Sequence, residues 1–246
     1  MKFGLIGKTL GHSYSQAWFE AMFAREGIAD EASYRLFPLD PLPDLHCWAT
    51  TQGLSGFNVT VPYKEAVLPQ VDELDPTAAA IGAVNCVRVT DGKLIGHNTD
   101  APAFRETIEP LLQPHHTQAL ILGTGGAAKA VAYALHQLGI RYTFVSRHPD
   151  NHPNAIGYDD LISVRQPPAD VPLIINATPV GMFPHVAVSP LPDNTPWSTR
   201  HLCYDLVYNP SPTLLMQQAQ AKGAVVMSGL EMLHRQAELS WHLWTH

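Results

Sequence analysis

The sequence predicts an α/β protein of two domains. Short, apolar, β-rich runs alternate with helical segments from end to end, the order that builds an α/β architecture. A polar stretch at 113–118 interrupts the alternation like a linker, and beyond it strand and helix follow at more regular spacing. A chain of 246 residues has room for one large or two ordinary domains, since domains commonly hold about 100 to 200 residues.

Read in order, the first part gives a strand at 3–6, a helix at 13–26, a strand at 34–38, a helix at 42–50 and a strand at 56–61. Strands at 83–90 and 93–99 flank Asp91-Gly92, the pair that best fits a two-residue type I′ hairpin. That loop sets a register. Thr90 opposes Lys93, and counting back puts Asn85 opposite Asn98. Asp100 has the same parity, so Asn85, Asn98 and Asp100 share a face if no bulge intervenes. A helix at 101–112 stops before Pro114. The second part then gives a strand at 119–122, a helix at 126–138 closed by Gly139, and strands at 141–146, 173–176, 202–206 and 224–227. This is the pattern of a parallel, doubly wound sheet. Between 149 and 172 proline is frequent and only 158–164 reads as a short helix, so that crossover is abbreviated. A last helix, 229–244, returns to the first domain. The expected division is 1–101 plus 229–246 for one domain and 102–228 for the other.

Composition narrows the function. The chain is 46% hydrophobic, 15% charged and carries a formal net charge of -7, which suits neither disorder nor nucleic acid nor an anionic membrane. The three cysteines, Cys47, Cys86 and Cys203, lie far apart and fit a reducing cytoplasm rather than a disulfide framework. The apolar run in 1–11 is too short for a signal peptide, and no stretch approaches about 18 uninterrupted apolar residues. The thirteen histidines are scattered without a ligating pattern, so no metal is expected.

Asn58-Val59-Thr60-Val61-Pro62-Tyr63-Lys64 carries the first candidate chemistry. Alternation turns Phe57, Val59 and Val61 to a core and gathers Asn58 and Thr60 on the opposite face, while Pro62 ends the strand and leaves Lys64 at its mouth. Asp100, in Gly96-His97-Asn98-Thr99-Asp100, supplies a carboxylate to partner that lysine. The plain alternative is a polar strand face with a solvated lysine.

Gly123-Thr124-Gly125-Gly126-Ala127-Ala128 follows a strand and opens a helix, the context of a dinucleotide-binding turn in a Rossmann-type domain. Gly123 permits the turn, Gly125 lets the backbone approach a pyrophosphate, and Gly126 and Ala127 begin a helix whose free N–H groups face the anion. About twenty residues on, where NAD sites place a carboxylate for the ribose hydroxyls, the chain has Ser146-Arg147-His148. A guanidinium suits a 2′-phosphate, which favours NADP, although Asp150 keeps NAD open.

With these segments the chain resembles the shikimate dehydrogenase family. The likeness runs nearly end to end. It rests on Gly11-His12-Ser13-Tyr14-Ser15, the 58–64 and 96–100 segments, Gly82-Ala83-Val84-Asn85 and the glycine turn. It continues through Asn176-Ala177-Thr178-Pro179-Val180-Gly181, Asp205-Leu206-Val207-Tyr208-Asn209-Pro210, and Gly229-Leu230-Glu231-Met232-Leu233 with Gln236. The resemblance implies an N-terminal α/β substrate domain and a Rossmann-type NADP domain, with the site between them in a cleft able to close on binding. The implied reaction is reversible NADPH-dependent reduction of 3-dehydroshikimate, on the route to chorismate and the aromatic amino acids. Ser13 and Ser15 are implied to hold the substrate carboxylate. Asn58, Thr60, Asn85, Asp100 and Gln236 would hold the ring hydroxyls, and Tyr208 would reach the substrate from the nucleotide domain. Ser146, Arg147, Thr178, Leu206 and Gly229 would join the glycine turn at the cofactor. Ser146-Arg147-His148 departs from the family's common Asn-Arg-Thr.

Oxidising a secondary alcohol removes a hydride and a proton, so a titratable group must touch the reacting hydroxyl. Lys64 is the choice, with Asp100 orienting it; which of the two carries the proton stays open in the sequence. Rival readings are a quinate/shikimate dehydrogenase with relaxed NAD(P) use, a catalytically silent ligand-binding relative, and a folate-linked dehydrogenase. The expected partner is a small molecule, and the expected assembly a monomer or homodimer.

Overall fold

The computed structural model describes residues 1–11, 13–162 and 171–246. His12 and residues 163–170, which include the end of the helix expected at 158–164, lie outside the described residues, as does the side chain of Ile162. Elements follow in chain order: β1 (Lys2–Gly7), α1 (Ser15–Arg25), β2 (Ser33–Pro38), α2 (Leu45–Gln52), β3 (Gly56–Val59), β4 (Glu73–Leu74), α3 (Pro76–Ile81), β5 (Cys86–Thr90), β6 (Lys93–His97), α4 (Asp100–Ile108), β7 (Gln118–Leu122), α5 (Gly126–Gln137), β8 (Arg141–Ser146), β9 (Ala155–Gly157), α6 (Tyr158–Ile162), β10 (Leu173–Asn176), β11 (Leu202–Asp205), α7 (Leu214–Gln220), β12 (Val225–Ser228) and α8 (Leu230–Thr245). Two compact units result, one of Met1–Pro102 with His234–His246 and the other of Ala103–Leu233. The return to the first unit falls inside α8, later than the expected 229.

The first unit holds a mixed sheet in the order β2-β1-β3-β5-β6-β4. Its β3 was expected to run to Val61 with one polar face, yet it ends at Val59 and all four of its residues are buried. The cause is its place between β1 and β5 with helices covering both faces. On one face Phe57 and Val59 join Leu45 and Ala49 of α2. On the other, Phe3, Phe19 and Tyr34 pack with Trp244 of α8, and a β-carbon on Gly56 would lie 2.4 Å from the Trp244 ring. Val61, expected in the core, is 72% exposed because the strand has already ended.

The hairpin turns where the sequence placed it. Asp91 and Gly92 both adopt positive φ, 51° and 77°, as a type I′ turn requires, and Thr90 pairs with Lys93. The ladder stops at Cys86 opposite His97. Asn85, Asn98 and Asp100 therefore lie beyond it, and parity no longer fixes their directions. Asn98 turns away, donating to Ala83 O at 2.9 Å and accepting from Ala101 N at 3.1 Å, and so helps start α4. Helix α3, which the reading of the sequence omitted, begins at Pro76 with Asp75 as its cap and ends at Gly82 in the left-handed conformation.

The second unit is a parallel sheet in the order β12-β11-β10-β7-β8-β9. Counted from β7, that is the doubly wound order 3-2-1-4-5-6 read from its far edge. Connections diverge between β7 and β10, so the loops after these two strands flank the crevice where such sheets bind ligands. Cys203 is buried in this sheet, its thiol pushed well above its ordinary pKa by burial.

Candidate active site

Within the first unit, the turn-rich segment after β3 carries Lys64, and the N-terminus of α4 carries Asp100. Lys64 Nζ lies 2.5 Å from Asp100 Oδ2, with the two side chains only 14% and 8% exposed. The plain alternative of a solvated surface lysine is thus excluded. The backbone supports the meeting: Lys64 O accepts from Val84 N at 2.8 Å, which ties the lysine's turn to the segment leading into Asn85. Asn85 Nδ2 donates to Asp100 Oδ1 at 2.8 Å and to Thr99 Oγ1 at 2.9 Å, while its Oδ1 accepts from Thr99 N at 2.7 Å. Both carboxylate oxygens of Asp100 are therefore engaged, one by an ammonium and one by an amide. A mostly buried ion pair held from both ends offers a proton at one fixed place.

Asn58 lies deeper. Its Nδ2 donates to Asn85 O at 3.2 Å and Ser240 Oγ at 2.9 Å, and its Oδ1 accepts from the Tyr34 hydroxyl at 2.8 Å. Both amide protons are spent on the protein, which leaves one lone pair on Oδ1 for a ligand hydroxyl. Ser15 hydrogen-bonds the same Tyr34 hydroxyl. Ser13 does not cap α1. Tyr14 holds that position, and Ser13 Oγ accepts from Ser15 N at 3.3 Å instead. Thr60, partly exposed, follows β3 with its N–H on Ile6 O at 2.9 Å. Gln236, buried on α8, has its carbonyl taken by the Ser240 hydroxyl at 2.8 Å. Cys86, beside Asn85, is a buried thiol whose pKa burial raises to about 12, so it takes no part in proton transfer near neutrality. The reading of the sequence missed Tyr34, Thr99 and Ser240. For Ser240 a signal was present: it stands four residues after Gln236 on an otherwise apolar helical face.

In the second unit the glycine turn follows β7 and opens α5, a helix of 12 residues capped by Gly125 with no side-chain bond to its first N–H groups. A β-carbon on Gly125 would meet nothing within 4 Å, so a phosphate has room to approach. Gly123 has φ of 102°, and a β-carbon there would sit 3.0 Å from Thr178. Leu206 and Gly229 are close neighbours, since a β-carbon on Gly229 would be 2.0 Å from Leu206 O. Gly126 and Ala127 form the first turn of α5. At the end of β8, Ser146 is buried and accepts from His148 N at 3.0 Å, while Arg147 is exposed and free to meet an anion. Tyr208, half-buried, lies in the loop after β11. These donors fit a dinucleotide phosphate at α5 and a second phosphate at Arg147.

A buried carboxylate braces the loops at this end of the sheet. Asp205 is fully buried and accepts from Asn176 Nδ2 at 2.9 Å, Val207 N at 3.0 Å and Thr213 Oγ1 at 2.7 Å. Asn176 in turn takes the N–H and hydroxyl of Thr178. Burial raises the Asp205 pKa to about 6, opposed by the bonds from Thr213, Val207 and Asn176. Among the described residues no group of three or more His, Cys, Asp or Glu could hold a metal ion, and no helix is long and apolar enough to cross a membrane.

The sequence matches the shikimate dehydrogenase substrate binding domain over residues 5–87. A shikimate dehydrogenase (NADP(+)) of Thermus thermophilus is 37% identical over 251 residues, covering 100% of this chain and 92% of its own. One from Desulforamulus reducens is 34% identical, covering 98% and 89%. The chain belongs to the shikimate dehydrogenase family. Solved structures of that family superpose closely. Shikimate dehydrogenase 1 of Peptoclostridium difficile gives a TM-score of 0.87 at 32% identity, covering 99% of this chain and 90% of that one. The Thermus thermophilus enzyme in complex with NADP(H) and shikimate gives 0.85 at 34%, covering 100% and 93%.

Proposed function

We propose that this protein is an NADP-dependent shikimate dehydrogenase, interconverting 3-dehydroshikimate and shikimate. The observation that carries the reading is the ion pair of Lys64 and Asp100, braced by Asn85. Ser13 and Ser15 hold the ring carboxylate through hydroxyls and the adjacent N–H groups. Thr60, Gln236, Tyr208 and the free lone pair of Asn58 take ring hydroxyls, and Asn85 and Asp100 orient the hydroxyl that reacts. In the reducing direction Lys64 gives its proton to the developing alkoxide, and Asp100 keeps the ammonium aimed. Bound NADPH supplies the hydride.

The turn at Gly123, Gly125, Gly126 and Ala127 holds the pyrophosphate, Ser146 and Arg147 the 2′-phosphate, and Thr178, Leu206 and Gly229 shape the remaining cofactor surface. Arg147, exposed at the end of β8, supports NADP over NAD. The protein acts in the cytoplasm on small molecules, as a monomer or homodimer. Steady-state rates read at the nicotinamide absorbance, with shikimate or quinate and with NADP or NAD, test the whole reading. Highest kcat/KM for shikimate with NADP is expected. Equal use of quinate with NAD would replace it by the broader quinate/shikimate activity, and no turnover with either acid would remove it.

A further inference from the structure

We infer that Tyr34 and Ser240 are positioning residues of the substrate site, fixing the side-chain amide of Asn58 and joining it to the groups that hold Asp100. The inference rests on the substrate reading above, which gives those groups a ligand to meet.

The direction of each bond follows from what its atoms can do. The Asn85 carbonyl can only accept, so the Asn58 atom facing it at 3.2 Å is Nδ2. Asn58 Oδ1 must then face the Tyr34 hydroxyl, 2.8 Å away, and accept from it. The Ser240 hydroxyl gives its proton to Gln236 O at 2.8 Å, so its oxygen is free to accept from Asn58 Nδ2 at 2.9 Å. Thr99 Oγ1 accepts from Asn85 Nδ2 and lies 3.3 Å from both the Ser240 oxygen and Asn85 Oδ1, the two acceptors within reach of its one proton. One continuous path runs from Asp100 through Asn85, Thr99 and Ser240 to Asn58, and on through Tyr34 to Ser15.

Neither hydroxyl meets solvent. Ser240 is 0% exposed and Tyr34 2%, and the Tyr34 ring stacks on Phe19 at 4.2 Å. Burial also keeps the phenol protonated by raising its pKa well above the ordinary value, with Cys86 adding to that and Ser15 opposing it. A donor that never ionises and a serine whose proton is committed elsewhere leave Asn58 one orientation. Its spare lone pair is thereby aimed, and Ser15 is held by the same phenol. Positioning of this kind belongs to the protein before any ligand arrives.

Tyr34→Phe and Ser240→Ala each delete one hydroxyl without adding bulk. Each variant should raise KM for shikimate roughly five- to ten-fold, the loss of one oriented hydrogen bond, with KM for NADP within about two-fold. In an Asn58→Ala background the rise should shrink to about two-fold or less, because the residue through which both chiefly act is gone and only the contacts to Ser15 and Thr99 remain. The Asn58 side-chain amide protons, followed by proton-nitrogen NMR in the unliganded protein, should exchange slowly in the wild type and fast in Ser240→Ala. Unchanged KM for shikimate in both folded variants, or losses that persist undiminished in the Asn58→Ala background, overturn the inference. If the wild type leaves shikimate untouched, the proposed activity fails, and the NMR still decides the positioning: equal exchange in wild type and Ser240→Ala rejects it.

Discussion

Replacing Asp205 by asparagine tests the energetic state of the second unit. The carboxyl is fully buried and its pKa is raised by desolvation, against its three hydrogen bonds, to about 6. Starting from an ordinary 3.8, a rise of this size at 1.36 kcal/mol per pH unit is about 3 kcal/mol. The sign follows from proton binding. Between the two values the folded state holds a proton that the unfolded chain has released, so stability falls as pH rises through this window. The full loss is reached above about pH 6, and on the order of 1 kcal/mol of it should develop between pH 5 and pH 7.5. Asparagine keeps an oxygen for Val207 N and Asn176 Nδ2 and turns its amide to Thr213, so any change in bonding is the same at every pH. Urea unfolding of both proteins at pH 5 and pH 7.5 isolates the titration. The variant should gain on the order of 1 kcal/mol on the wild type between the two. A difference that stays constant would refute the claim that Asp205 is forced to ionise in a dry site.

Lys64→Ala should lower kcat about a hundred- to ten-thousand-fold with a much smaller change in KM for shikimate; turnover near the wild-type value would remove Lys64 from the proton transfer. Arg147→Ala should raise KM for NADP roughly ten- to a hundred-fold, the loss of a charge-assisted contact, and leave KM for NAD unchanged; parallel changes for both cofactors would show that Arg147 does not read the 2′-phosphate. Gly56→Ala drives a methyl group to 2.4 Å from Trp244, whose Nε1 donates to Val87 O at 3.0 Å. Overpacking of this kind costs on the order of 1–3 kcal/mol, and calorimetry should show the melting temperature falling by roughly 2–4 °C for each.

What the sequence revealed and what it withheld follow one division. Local rules carried far: the two left-handed residues at Asp91 and Gly92 set the hairpin register as far as Cys86 and His97. Parity failed one residue later because Asn98 leaves the ladder to start a helix, so Asp100 reaches Lys64 from α4. Helix α3 could have been read, since Asp75, Pro76, three alanines and Gly82 are a cap, a first-turn proline, good helix formers and a left-handed stop. The alternation of β3 misled because a central strand covered on both faces buries its polar residues too. The partners of Tyr34 and Ser240 were out of reach for a different reason, even though the position of Ser240 on its helix was legible. The two residues touch Asn58 across 24 and 182 positions of chain, and no periodicity records such a meeting.

The three thiols are unequally available. Cys86 and Cys203 are walled in and protonated, whereas Cys47 stands exposed on α2. A maleimide dye or nitroxide should therefore couple to one position of the natural sequence, on the helix whose Leu45 and Ala49 pack against β3. That gives spectroscopists a reporter near the substrate unit without any engineering of the chain.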